Sequence, residues 1–346
     1  MTIMEMNKIL TPENEKNAFY LLEQVAGFSY QASLRAVAAL GIADNLLDGP
    51  KTAKELADKI GVEALPLHRV LRLLTTRNIF KEIAGQRFEL TPAAEFLCQS
   101  SPQSLREAVL MITDETFWLP LSLVADSVRG HCAFNQVFGT SFFEYWSKPE
   151  NQASDYDFHS GMSSLSAVEN PGLVCSYNFP ENITVADIAG GIGGLLLRVL
   201  QANSSLHGIL FDQEPVLVKN CLSELGDDSR WRLQSGNFFA SCPVADIYLL
   251  KNIIHDWPDE KAVVILQNCR KAMRPNGKVL IIDALIQEDN QPHYGKSMDI
   301  MMLACLDGGR ERTETELQGL LADADLRINR IIGTDGFLSI VEAVSR

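Results

Sequence analysis

The chain has 346 residues, 46% of them hydrophobic and 21% charged, which excludes a disordered polypeptide and allows two domains with sizeable cores. Thirty Lys and Arg stand against 44 Asp and Glu, a net charge of −14, so binding to nucleic acid would need a dense local basic patch. Seven scattered cysteines without a Cys-x-x-Cys pair fit a reducing compartment, and six dispersed histidines form no zinc constellation.

Met1–Leu10 shows no basic start followed by an apolar run, so no targeting segment is expected. No stretch approaches the ~20 apolar residues of a membrane span, and a cytoplasmic location follows as the expectation. From Glu13 to Leu40 apolar residues recur at helical spacing (Phe19, Leu22, Val25, then Leu34, Val37), and Gly41 supplies a stop. Lys51–Ile60 reads as a short helix closed by Gly61, and Pro66–Asn78 as a second helix. Phe80–Ile83 and Arg87–Leu90 flank Ala84-Gly85-Gln86 in a hairpin pattern, so the module is predicted to be a winged helix. Between Lys51 and Leu90 eight Lys/Arg oppose five Asp/Glu, too thin a basic stripe for DNA. Its apolar faces suggest a protein partner.

Ser104 to about Asn178 is predicted to be mostly helical and is rich in aromatics, including Phe117, Trp118, Phe134, Phe142, Tyr156 and Phe158. Most such rings are core, but this many could also wall a pocket for a flat ligand. After Pro180 strands and helices alternate. Val185–Ala189, His207–Phe211, Trp231–Gln234, Asp246–Leu250 and Lys278–Ala284 read as strands, with helices such as Gly194–Ala202 and Asp259–Met273 between them. Parallel strands require such crossovers. Leu326–Gly333 and Phe337–Ala343 read as a closing hairpin through Thr334-Asp335-Gly336, which places one antiparallel strand in the sheet. The expected boundaries are 1–103, 104–178 and 179–346.

Val185-Ala-Asp-Ile-Ala-Gly-Gly-Ile-Gly-Gly194 leaves a strand, turns through glycines and opens a helix, so backbone amides can approach a ligand closely. It departs from the dinucleotide pattern, because Leu196 stands where a third glycine is required. Asp187 beneath the loop suits a cation. Asp212 follows 19 residues after Gly193 at a strand end, where a carboxylate can accept from ribose hydroxyls. Gly236-Asn237-Phe238 ends the next strand, with an amide and an aromatic face suited to adenine. Together the three strand ends point to an adenosyl ligand.

The chain resembles the small-molecule O-methyltransferases that use S-adenosylmethionine, the group of caffeic-acid and acetylserotonin O-methyltransferases and bacterial polyketide-tailoring enzymes. The most specific stretches are Leu249-Leu-Lys-Asn-Ile-Ile-His-Asp-Trp-Pro-Asp-Glu260 and Asp307-Gly-Gly-Arg-Glu-Arg-Thr-Glu314. The resemblance implies an α/β fold, a seven-stranded Rossmann-like methyltransferase sheet behind an all-helical, winged-helix dimerisation domain, assembled as a homodimer. It implies that Asp187, Gly190, Gly191, Asp212, Gln213, Gly236, Asn237, Phe238 and Lys251 hold the methyl donor, with Met162 and Ser166 flanking its methionine part. Two positions depart from the family pattern: Ala189 replaces the first loop glycine, and Asn237 replaces an aspartate.

His255 follows a strand at the sheet edge where ligands bind, and an imidazole with an ordinary pKa near ~6.5 suits a general base toward a phenol near ~10. The resemblance gives Asp283 and Glu311 as the acids that orient it, with aspartate where glutamate is usual at 283. Asp256 reads as a substrate contact or a helix start. Phe117, Trp118, Phe134, Phe158, Met298 and Met302 are candidate walls for a planar aromatic acceptor, with a polyketide such as an anthraquinone one possibility. No metal is expected to take part. One alternative keeps the fold but uses the donor for hydroxylation, decarboxylation or pericyclic chemistry.

Overall fold

A computed structural model describes residues 11–152 and 158–346; the readings placed on Met1–Leu10 and on Tyr156 lie outside the described residues. Two compact units divide the chain between Thr113 and Asp114.

In the first unit the helical stretch read over Glu13–Leu40 is two helices, Pro12–Val25 and Gly27–Ala39, which meet at Ala26. Thr52 caps the helix Ala53–Ile60 with a full capping box, and Gly61 ends it in the left-handed conformation. The second helix runs Ala64–Thr75, starting two residues before Pro66, which therefore falls in the first turn and breaks no helical hydrogen bond. Strands β1 (Lys51–Thr52), β2 (Phe80–Ile83) and β3 (Arg87–Leu90) form an antiparallel sheet in the order β1-β3-β2, which completes the wing. Leu56, Leu71, Leu74, Phe80 and Phe88 fill its core. The helix Arg106–Ile112 belongs to this unit: Arg106 Nε donates to Ala38 O at 2.9 Å, and Arg35 Nη1 donates to Leu110 O.

The second unit is built on seven strands: β4 (Thr184–Ile188), β5 (His207–Asp212), β6 (Trp231–Ser235), β7 (Ala245–Lys251), β8 (Met273–Asp283), β9 (Leu326–Gly333) and β10 (Ser339–Ser345). Their order is β6-β5-β4-β7-β8-β10-β9, parallel except for β10, which pairs antiparallel with both β8 and β9. β8 starts five residues ahead of its expected start at Lys278, because Pro275 disfavours helical backbone at Arg274 and the preceding helix stops at Ala272. β10 starts at Ser339, later than expected. Thr334 Oγ1 accepts from the Gly336 N–H at 3.2 Å and donates to Leu338 O at 2.6 Å, holding this stretch as a loop.

Alternate residues of the central strands enter opposite cores. Tyr248 and Leu250 face one layer, Ile247 and Leu249 the other, as a doubly covered sheet requires. The connections leaving β4 and β7 run in opposite directions along the sheet, to β5 and to β8, so a crevice opens at the C-terminal ends of these two neighbours. Among the described residues no helix is long and apolar enough to cross a membrane.

Candidate active site

β4 ends at Ile188, and the chain turns through Ala189-Gly-Gly-Ile-Gly193 before the helix Gly194–Ala202. Ala189, Gly191 and Gly193 all take positive φ, at 52°, 59° and 86°. Alanine in this region costs about 1–2 kcal/mol of steric strain, so the loop keeps its course in spite of its first residue. The Ala189 N–H donates to Phe211 O at 2.7 Å and pins that residue. Gly190 lies directly on Asp187, where a Cβ would come within 2.5 Å of Asp187 Cγ.

Asp187 is 2% exposed, and burial raises its pKa to about 7 against the opposing charge of Lys251. Its Oδ2 has no hydrogen-bond partner among the described residues. A buried carboxylate with an unspent oxygen under a glycine loop fits a cationic or hydrogen-bond-donating ligand. Asp212, at the end of β5, accepts from the Gly191 N–H at 2.9 Å and from the Gln213 N–H at 2.7 Å, which ties the loop to the neighbouring strand. Gln213 is exposed at the start of a short helix.

Gly236 and Asn237 are exposed after β6, and Phe238 is half-buried. Asn237 Oδ1 accepts from the Phe239 N–H at 2.8 Å, so one lone pair of the oxygen expected to face adenine is spent on its own turn. The Phe238 ring packs against Phe239 and Trp257 with centroids 4.7 and 6.0 Å away.

Lys251 closes β7. Its Nζ donates to Ser166 Oγ at 2.8 Å and pairs with Glu169 Oε2 at 2.6 Å, with side chains only 7% and 10% exposed for Lys251 and Glu169. Ser166 and Lys251 are thus brought together, and Met162 sits one helical turn earlier on the same helix, Phe158–Ser176. Glu169 was missed by sequence reasoning. Its only signal was being a lone carboxylate three residues after Ser166 on an otherwise uncharged stretch.

His255 lies in the single turn Ile254–Asp256 just past β7 and is 5% exposed. Its Nδ1 is 2.8 Å from Glu311 Oε1, and its Nε2 is 3.4 Å from Asp256 Oδ1. Burial opposes charge on the ring, but Asp256, Asp283 and Glu311 together override it and raise the pKa to about 10. Burial also raises Asp256 to about 7 and Asp283 to about 6, in each case against the charge of His255. Asp283, at the end of β8, acts on the ring electrostatically. Asp283 Oδ1 and Glu311 Oε2 have no partner among the described residues.

The candidate acceptor walls divide. Phe117 and Phe134 are buried and pack edge-on against Phe142 at 5.7 and 5.1 Å, so these rings build an aromatic core. Phe158 is half-buried and stacks on Trp146 at 5.8 Å. Trp118 is half-buried on the helix Glu115–Ser122, which packs against the helix Tyr294–Cys305 carrying half-buried Met298 and Met302.

Residues 118–327 match the O-methyltransferase domain family, and residues 22–100 match the O-methyltransferase dimerisation domain. The phenazine O-methyltransferase PhzM of Lysobacter antibioticus is 36% identical, covering 93% of this chain and 95% of that protein. Among solved structures, CalO1, a methyltransferase in calicheamicin biosynthesis in its S-adenosylhomocysteine-bound form, superposes with a TM-score of 0.88 at 41% identity, over 96% of this chain and 98% of that one. NcsB1, an O-methyltransferase from neocarzinostatin biosynthesis in complex with S-adenosylmethionine and 2-hydroxy-5-methyl naphthoic acid, gives 0.73 at 30% identity, over 91% and 96%.

Proposed function

Because the chain belongs to the O-methyltransferase family, we propose that it methylates a phenolic hydroxyl of a planar aromatic molecule, with His255 as general base and no metal ion. S-adenosylmethionine is the methyl donor. When bound, it supplies a methyl group on a positively charged sulfur, a charge that is lost as the methyl departs. The proposed holders are the loop at Gly190 and Gly191, with Asp187, Asp212, Gln213, Gly236, Asn237, Phe238, Lys251, Ser166 and Met162.

The observation that carries the reading is the buried His255–Glu311 pair at 2.8 Å. A carboxylate oxygen accepts from the ring N–H, so in the neutral ring that acts as base the proton sits on Nδ1 and the lone pair on Nε2. Nε2 then takes the proton of the attacking hydroxyl, and Glu311 stabilises the imidazolium that results. Asp283 adds to that stabilisation from the end of β8, while Asp256, beside Nε2, meets the acceptor. Phe158, Trp118, Met298 and Met302 are the proposed walls. The names of PhzM and of the NcsB1 complex both carry flat fused-ring aromatics, which supports an acceptor of that class; an anthraquinone is one candidate. The dimerisation domain supports a homodimer, and the free cysteines fit a cytoplasmic setting.

The reading is tested by incubating the enzyme with labelled donor and a panel of phenols, with and without a chelator. One methyl gained per product, at the same rate in both, is expected. A product without the added methyl would overturn methylation, and loss of activity with chelator would overturn metal independence.

A further inference from the structure

The segment after Gly309 supplies Glu311, but its neighbours do a separate job. Arg312 is 5% exposed, and its guanidinium is spent on the backbone around His255 and on Asp259. Its Nη1 donates to Ile254 O at 2.8 Å and its Nη2 to Trp257 O at 2.7 Å, the carbonyls just before and just after His255-Asp256. Asp259 Oδ1 receives Nη2 at 2.8 Å and Nε at 3.1 Å, which fixes the fork from its far side. The Arg310 N–H donates to His255 O at 2.8 Å. Three carbonyls in and just after one short turn, those of Ile254, His255 and Trp257, are therefore held by one strap.

From this geometry we infer that Arg312 is a positioning residue for the methyl-transfer reaction, acting through the backbone of the His255 turn to hold the imidazole against Glu311. The strap carries both ends of the His255–Glu311 contact: Glu311 itself and the clamp on the turn that bears the ring. A single-turn helix has few hydrogen bonds of its own to fix a side chain. A planar fork can satisfy two carbonyls and a carboxylate at once, whereas a lysine ammonium offers one compact charge and cannot span them. Rotation of the turn lengthens the Nδ1 contact without touching the glycine loop, so the effect belongs to proton transfer and not to donor binding. The inference rests on His255 being the base.

The test is a double-mutant cycle of Arg312→Lys with His255→Ala, read as kcat, KM for S-adenosylmethionine and the pH profile, with a thermal melt of each variant. Arg312→Lys is expected to lower kcat at least ~10-fold, leave KM for the donor within ~2-fold, and move the ascending limb of the profile to lower pH. In the His255→Ala background the same substitution is expected to change kcat by less than ~2-fold, since no ring remains to be positioned. Asp259→Asn, which keeps Arg312 but removes its anchoring charge, is expected to give the same pattern at smaller size and covers a failure of Arg312→Lys to fold. Equal losses of kcat in both backgrounds would show a general structural role and overturn the inference. So would wild-type kcat in Arg312→Lys while His255→Ala is impaired. A fully active His255→Ala enzyme instead removes the base assignment itself, and with it the inference.

Discussion

At His255 three carboxylates outweigh burial, and the consequence is a pH dependence with a definite sign. With its pKa raised, the ring of the ligand-free site keeps its proton to higher pH than a free imidazole, so activity through a neutral base rises with pH along an ascending limb. Asp256→Asn removes a negative charge 3.4 Å from Nε2 and should move the limb in kcat/KM down by about one pH unit or more. A limb that stays in place or moves upward would contradict the electrostatic assignment. The candidate residues picked out by type and local motif, His255, Asp212 and the glycines of the loop, were legible in the sequence, and each stands at or just past the end of a strand in the fold. Glu169 and the fork of Arg312 were not, because their partners at Lys251 and at Ile254, Trp257 and Asp259 are chosen by the packing of distant segments. Nor did a sequence reveal that Asn237 spends part of its amide oxygen on the Phe239 N–H.

At the level of elements, β10 does more than close the sheet. Its Glu342 is fully buried and accepts from Tyr177 Oη at 2.6 Å, Lys278 Nζ at 2.8 Å, Asn329 Nδ2 at 2.5 Å and Arg330 Nε at 3.1 Å. Burial by itself raises the pKa of this carboxyl, but its hydrogen bonds prevail and lower it to about 2. A group with a depressed folded pKa contributes stability above its unfolded value near ~4.3, and that stability is lost as pH falls toward ~2. Glu342→Gln should be less stable than wild type at neutral pH and should flatten the acid branch of a denaturant-midpoint profile. An unchanged acid branch would show that Glu342 does not drive it. The alternation of strands and helices after Pro180 was readable because each strand is a short apolar run bounded by turn residues. The start of β8 was not, since Arg274-Pro-Asn-Gly277 looks like a loop, and β8 pairs with β7 at Met273 and then again only from Lys278.

Across the whole molecule, the winged module was legible because capping residues, Gly61 and the hairpin turn are local signals. What covers its first helix was not. Pro12–Val25 buries no residue within the described chain, and Phe19, Tyr20, Leu22 and Val25 are each more than half exposed. That much apolar surface on one helix calls for a partner, and the match to a dimerisation domain makes a second copy the expected one. Light scattering at micromolar concentration should give twice the chain mass, and Phe19→Asp with Leu22→Asp should shift the population toward monomer. A monomeric wild-type mass would contradict the homodimer. The central claim, proton collection by His255 during methyl transfer from sulfur to oxygen, is tested most directly by single-turnover transfer to a phenol of pKa near ~10 at neutral pH. Comparing wild type with His255→Ala, the expected result is a chemical step slowed by at least ~100-fold while affinity for S-adenosylhomocysteine stays within about 3-fold. A variant that transfers the methyl group as fast as wild type would contradict the claim.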